Sequence, residues 1–249
     1  MGDEPRESEA QSAGASFQSF VDAAHPVTDE ERNRLRLGRP EQLVTTNGRP
    51  QVGFPAIVVT SKTGQEPFHV GGAPLGFDLL SFWQWAASDV TNNALRGVIA
   101  EYLAARALGL ADRVRVEWDR YDLRAACGAA VEVKSAAYFQ SWVQTKLSDI
   151  AFDIAPTFGW DAATNAFETV ARRQADVYVF ALLHHRDKPT LDPLDLDQWI
   201  FYVLGTKALN AAAPVQKSIR LSRLRSLKPA EAKFATLGET VEQVAAADR

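Results

Sequence analysis

The sequence predicts an α/β fold, and three observations carry that prediction. Between Asn93 and Leu108 the apolar residues Leu95, Val98, Ile99, Tyr102, Leu103 and Leu108 recur at helical spacing. From Val114 the period changes to two, with Val114, Val116 and Trp118 on one face and Arg115 and Glu117 on the other. Farther on, Val177 to Leu183 is an unbroken apolar run of the length a buried strand needs. Helical and strand periods in one stretch imply helices layered on a sheet. With 249 residues, 46% of them hydrophobic and 23% charged, the chain can build one core with a small appendage.

The elements follow in order. Residues 1 to about 16 are rich in Ser, Ala, Gly and Glu, and 1–28 read as an acidic arm expected to be disordered. Residues 29–88 read as an N-terminal β/helical extension. It starts with a short helix over Asp29–Leu37, followed by Gln42–Thr46 and the Asn47-Gly48 turn signal. Short strands over Ala56–Thr60 and Phe68–Val70 come next, then a Trp-rich helix over Leu79–Ala87. Residues 89–249 read as the core domain. Its first helix, Asn93–Leu108, is stopped by Gly109. A three-strand meander follows over Val114–Trp118, Tyr121–Ala125 and Ala129–Lys134, turning at Cys127-Gly128. Tyr138, Trp142 and Lys146, spaced by four, predict a helix over Ala136–Leu147. Strands are predicted over Asp176–Leu183 and Trp199–Leu204, with a helical turn from Thr206 to Leu209. A weak alternation over Ser218–Leu227 suggests an edge strand, and Glu239–Ala247 a terminal helix.

Several function classes drop out. A single cysteine, Cys127, rules out a disulfide within the chain and a cysteine-based zinc site. His184 and His185 are adjacent on a predicted strand, so they point apart and make a poor metal pair. There is no glycine-rich lysine loop of the kind that cradles nucleotide phosphates. No apolar run approaches the ~20 residues of a membrane span. The acidic start has no apolar core of a secretory signal, so a cytoplasmic protein without membrane partners is expected.

A formal net charge of −4 argues against a protein that simply coats DNA, but the charge is segregated. Residues 1–31 hold eight acids against one base, whereas the rest holds 26 bases against 23 acids. Between Gly205 and Lys233 there are seven bases and one acid, Glu231. That C-terminal segment reads equally as a solvated face and as a surface for a polyanion.

One constellation carries chemistry. In Glu132-Val133-Lys134 the two charged residues are i and i+2, so on a strand they share a face, ~6–7 Å apart along the backbone. If the hairpin centres on Cys127, Asp122 pairs with Glu132 and their Cβ atoms lie about 5 Å apart. Two carboxylates that close repel unless a divalent cation neutralises them, and hard oxygen ligands with room for water suit Mg²⁺. A lysine beside such a cation can orient a water or stabilise charge developing on a phosphate. Glu101 in the preceding helix stands on a face of small residues, Gly97 and Ala105, which lets the helix approach the sheet. Composition alone gives about one acid-x-Lys by chance, and a second copy exists at Glu231-Ala232-Lys233, in helical-looking sequence without a hairpin acid. An ordinary cross-strand Glu–Lys pair remains the competing reading of the first copy.

The arrangement of Glu101, Asp122 and Glu132-Val133-Lys134 resembles the PD-(D/E)XK nuclease superfamily, with its restriction-endonuclease-like core of helix, three-strand meander, helix and strand. The segments LRGVIAEYLAARALG, WDRYDLR, VEVKSAAYFQSW and RQADVYVFALL are similar to those of a bacterial branch associated with that fold. The resemblance covers about residues 90 to 205. It implies Mg²⁺-dependent (or Mn²⁺-dependent) hydrolysis of phosphodiester bonds, endonucleolytic rather than exonucleolytic. Asp122 and Glu132 would ligate metal, the Val133 carbonyl would add a ligand, Lys134 would position the attacking water and Glu101 would assist. Tyr121 stands where many members have proline.

Further candidates are weaker. Gln140, Lys146, Arg172 and Arg173 are candidate nucleic-acid contacts, each weighed against an ordinary solvated or packed polar residue. DNA is the expected partner, with RNA, a homodimer or a protein partner left open. The rival from another class is a catalytically silent nuclease-like binding or scaffold protein in a bacterial defence or repair complex. Its docking surface would be the region 40–88, with the Trp-rich segment Phe82–Trp85 as the feature that matters.

Overall fold

The computed structural model describes residues 42–46, 49–53, 57, 59–115, 120–161 and 166–248. The chain divides into two compact units, Met1–Val58 and Val59–Arg249. In the first, β1 (Gln42–Thr46) and β2 (Arg49–Gly53) pair antiparallel with Thr46 opposite Arg49. The expected acidic arm, the helix over 29–37 and the turn at 47–48 lie outside the described residues. Ile57, Val59 and Thr60 are in no strand, contrary to the expected run over Ala56–Thr60.

The second unit opens with a hairpin, β3 (Pro67–Val70) and β4 (Ala73–Asp78), that runs into α1 (Leu79–Ala87). Asp78 and Ser81 form a reciprocal capping box, which fixes where α1 begins. None of α1 is buried, and Trp85 is 84% exposed.

The core is a five-stranded mixed sheet. Its strands are β5 (Leu123–Arg124), β6 (Ala130–Ala137), β10 (Val177–Leu183), β11 (Trp199–Gly205) and β13 (Ala230–Ala232), in the order β13-β11-β10-β6-β5. The β6–β10 pair is parallel and the others are antiparallel. All seven residues of β10 are buried, as the continuous apolar run required of a strand covered on both faces. One face packs Val131, Val133, Val179, Phe201 and Val203 beneath α2 (Asn93–Ala107) and α5 (Phe234–Ala247). The other packs Tyr178, Phe180, Leu182 and Tyr202 against β7 (Ala151–Asp153), β12 (Ser218–Arg220), α3 (Thr206–Ala212) and α4 (Leu221–Ser226). This mixed α/β layering is the class the sequence predicted. Gly109 follows α2 at φ +70°, the left-handed conformation expected of a helix-ending glycine. Gly238 on α5 touches α2 so closely that a Cβ there would stand 2.2 Å from the Ala107 carbonyl oxygen.

Four further expectations need correction. No helix spans Ala136–Leu147: β6 continues through Ala137, because Ala136 and Ala137 pair with Leu182 and Leu183 of β10. The return to parallel β10 then runs through irregular chain that holds β7 and a small hairpin, β8 (Trp160–Asp161) with β9 (Ala166–Phe167). Its first part is tied by side chains, with Gln144 accepting from the Gln140 N–H (2.6 Å) and donating to the Tyr138 carbonyl and Ser148 hydroxyl. Next, Val114 and Arg115 lie in no strand, residues 116–119 are outside the described set, and the described meander has two strands. Ser218–Leu227 divides into β12 and α4, because Ile219, Leu221 and Leu224 all bury into the second core face. Finally, Glu231-Ala232 lies on edge strand β13, not in a helix. Among the described residues no helix is long and apolar enough to cross a membrane.

Candidate active site

On β6 the two faces of the sheet part company. Val131 and Val133 enter the core beneath α2 and α5, so Glu132 and Lys134 at the alternate positions project to the opposite face. Their register partners there are Tyr178 and Phe180 of β10. Lys134 Nζ donates to Glu132 Oε1 at 2.5 Å, and both side chains are half-buried.

The hairpin register is the one the arithmetic required. Leu123 faces Val131 and Arg124 faces Ala130, so the turn centres on Cys127. Asp122 lies just beyond the last pair, where its N–H still donates to the Val131 carbonyl at 3.1 Å. Its side chain does not simply stand beside Glu132. Oδ2 turns into the strand edge that β5 has vacated and accepts the Val133 N–H at 2.7 Å. The N–H and C=O of one strand residue leave on the same edge, so the Val133 carbonyl is directed to this edge too.

Glu101 arrives from the other face. It is 7% exposed on α2 and accepts from Arg115 Nε at 2.8 Å. One turn earlier, Gly97 sits against Ser135 of β6, where a Cβ would be 3.9 Å from the hydroxyl. The small face of α2 thus lets the helix close on β6, as the sequence suggested. A cavity of about 500 Å³ opens beside Glu101 and Asp122, with Arg115, Tyr102, Tyr121 and Leu123 in its wall.

The electrostatics tie the groups together. Burial pushes the Glu101, Asp122 and Glu132 carboxyls above their usual range. The Asp122 charge pushes Glu101 and Glu132 further up, while Arg115 and Lys134 pull against it. Burial alone would lower Lys134, but the Glu132 carboxylate beside it outweighs that and holds the ammonium above its ordinary value. The three acids approach the same stretch of β6 from three directions. They do not close into one shell, since among the described residues no three His, Cys, Asp or Glu side chains form a metal-binding group.

The other candidates are placed as follows. Gln140 is buried, bonded to the Ala137 carbonyl, the Ser148 hydroxyl and Arg96. Lys146 is exposed on the loop after β6. Arg172 is exposed and forks onto Glu168 at 2.9 and 3.1 Å. Arg173 is buried and donates to the carbonyls of Ile154, Ala213 and Gln216 and to Asn210 Oδ1. Its fork stitches chain segments together. Sequence reasoning did not single out Arg115 as the partner of Glu101, Asp153 as a negative charge acting on Lys134, or Tyr178 beside Glu132. These contacts join distant segments and leave no local spacing to read.

A search of curated proteins found no match. A family model for bacteriophage T4 endonuclease IV matches residues 80–223, from α1 into α4. That is more than half of the chain, and it contains Glu101, Asp122, Glu132 and Lys134. The chain therefore belongs to the bacteriophage T4 endonuclease IV family, a nuclease-like family.

Proposed function

We propose that this protein is a Mg²⁺-dependent endonuclease that hydrolyses phosphodiester bonds in DNA, built on a PD-(D/E)XK core. The observation that carries the reading is the Asp122 carboxylate, seated on the Val133 N–H beside the Glu132–Lys134 pair. Family membership adds the nuclease context.

The donor set fits a hard divalent cation. Burial raises the proton affinity of two half-buried carboxylates, Asp122 and Glu132, the Asp122 charge raises Glu132 further, and the Val133 carbonyl is directed to the same edge. Mg²⁺ takes one or two carboxylates and keeps several waters, so it needs no third acid. When bound, such an ion supplies Lewis-acid polarisation of a phosphoryl oxygen and lowers the pKa of water. The chain's own residues do the rest. Lys134, kept protonated by Glu132, donates to a water or to the phosphate oxygen on which charge develops. Glu101, gripped by Arg115, is an acceptor that holds a second water in place. Arg115 fixes which way that carboxylate faces.

The test is cleavage of DNA by the purified chain with Mg²⁺ or Mn²⁺, by Asp122→Asn and Lys134→Ala variants, and with chelator. Products from the wild type alone, lost with chelator, are expected. Equal cleavage by the variants, or none by the wild type over long incubation, would overturn the reading, the latter in favour of a silent binding protein.

A further inference from the structure

A second polar cavity lies on the same face of the sheet as Glu132 and Lys134, at the far end of the strands. It is an open hollow of about 430 Å³, lined by Tyr138, His184, His185 and the exposed Arg186 and Arg225 over an apolar floor of Leu182 and Ile200. The lining contains two arginines and two histidines and no acid. His184 and His185, adjacent in the sequence, and Arg225 of the basic segment between Gly205 and Lys233 meet here with Arg186.

The two guanidinium groups are held in place. Arg186 stacks on the Tyr138 ring with 4.5 Å to its centroid and donates to the Tyr138 hydroxyl at 3.0 Å. Arg225 does the same with Tyr202, with 5.4 Å to the centroid and 3.0 Å from Nε to the hydroxyl. A tyrosine hydroxyl uses part of a five-donor fork and contributes no counter-charge. Among the described residues neither arginine forms an ion pair with a carboxylate. The acids nearby are engaged or peripheral: Asp187 accepts from Thr190, and Glu231 faces Arg225 from the edge strand. Lys233, whose Nζ is 3.4 Å from His184 Nε2, and Lys188, bonded to the Trp142 carbonyl, add positive charge around it. Two oriented forks with unspent donors and no acid in the lining suit a phosphate group.

We propose that this cavity binds a backbone phosphate of the nucleic acid cut at Asp122 and Glu132, and so positions the strand. The ligand's identity, though not the anion site itself, rests on the nuclease reading above. Tyr138 lies four residues beyond Lys134, about 13 Å along the strand. Arg186 and Arg225 are positioning residues.

The test uses the full chain in chelator, so that binding is read without turnover, with a labelled DNA oligonucleotide titrated across NaCl concentrations. The R186Q/R225Q variant should bind about tenfold more weakly near 0.1 M salt and lose about 1–2 from the salt slope. R186K should keep the slope and recover part of the affinity, because the charge stays and the fork is lost. Wild-type affinity and slope in the double variant would overturn the proposal. Since Arg225 supports Tyr202, R186Q alone is the control for folding; an effect confined to R225Q with a lowered melting temperature counts against the site. A parallel titration with inorganic phosphate follows the arginine side-chain NMR signals. If phosphate shifts them while DNA binding ignores both arginines, the cavity takes a free phosphate and the assignment to a nucleic-acid strand is wrong. A protein that binds DNA through this cavity but never cuts it would sink the nuclease reading and leave the phosphate site standing, without its role in positioning a strand for cleavage.

Discussion

The same three-residue pattern occurs twice in one sheet, as Glu132-Val133-Lys134 on β6 and as Glu231-Ala232-Lys233 at β13. On β6, an interior strand, the two charged side chains bond to each other at 2.5 Å and stand half-buried. At β13, an edge strand, Glu231 is exposed and Lys233 turns away to the carbonyls of Asp197 and Trp199, at 3.2 and 3.1 Å. What separates them is the neighbourhood. The first copy has a hairpin that delivers Asp122 to the adjoining strand edge and a helix that delivers Glu101; the second pairs with Tyr202 and Phe201. A short pattern acquires chemistry only where the topology adds a second acid under burial.

The largest expected effect breaks the comparison if it fails. Asp122→Asn should lower DNA cleavage on the order of a thousandfold or more, while Glu231→Gln should leave it within about twofold. Initial rates under Mg²⁺ decide it, and a comparable loss from both variants would make the two copies equivalent. Mg²⁺ binding gives a second measure. At about a hundred times its Kd the ion should stabilise the wild type by about 2.7 kcal/mol. That rise in melting temperature should vanish in Asp122→Asn and persist in Glu231→Gln.

The same Asp122 variant separates function from stability. Burial raises the Asp122 pKa in the folded chain. A carboxylate raised in this way costs stability above its folded pKa, and the cost disappears below its unfolded value near ~3.9. The asparagine keeps an acceptor for the Val133 N–H and carries no charge. Asp122→Asn should therefore melt above the wild type at pH 8 without added metal, and the gap should close as the pH falls toward about 4. A gap that widens on acidification would show that the carboxylate is stabilising.

How much of this could be read from the sequence depends on where each constraint lies. The register of Asp122 against Glu132 was legible, because Cys127-Gly128 marked the turn and the strand period of two did the rest. The start and end of α2 were legible from its apolar stripe and Gly109. The segment after β6 was not. Tyr138, Trp142 and Lys146 repeat every four residues, yet Tyr138 packs on the sheet, Trp142 is exposed and Gln140 and Gln144 satisfy the loop's polar groups. Strand pairing with β10 claims Ala136 and Ala137, and of the three residues spaced by four only Tyr138 packs on the core. The Glu101–Arg115 pair and the pull of Asp153 on Lys134 were equally hidden, being contacts between segments. Glu231 looked helical because its edge-strand role rests on three pairings with β11.

A smaller effect measures the coupling itself. A double-mutant cycle on Glu132 and Lys134, through Glu132→Gln and Lys134→Met, should give an interaction energy of about 0.5–3 kcal/mol in denaturant unfolding. The same cycle on Glu231 and Lys233 should give about zero, within ~0.3 kcal/mol, since those side chains do not meet and solvent screens the exposed acid. Equal coupling energies would mean that sequence spacing, rather than burial, sets the strength of the pair.

The smallest expected effect is on the edge strand alone, and it sharpens the contrast most finely. Glu231→Gln removes an exposed charge with no bonded partner among the described residues, so stability should move by no more than about 0.5 kcal/mol. Lys233→Met removes donors to the Asp197 and Trp199 carbonyls, at a cost of about 1 kcal/mol, because water can replace an exposed ammonium there. Lys134→Met should cost more than either, since it leaves Glu132 half-buried without its cation and still pressed by Asp122. The order Lys134, Lys233, Glu231 in chemical denaturation is therefore an order of uncompensated burial. If Lys233→Met proved the costliest of the three, the lysine that ties β13 to the chain before β11 would matter more to the fold than the buried pair, and the contrast between the two copies would have to be drawn on catalysis alone.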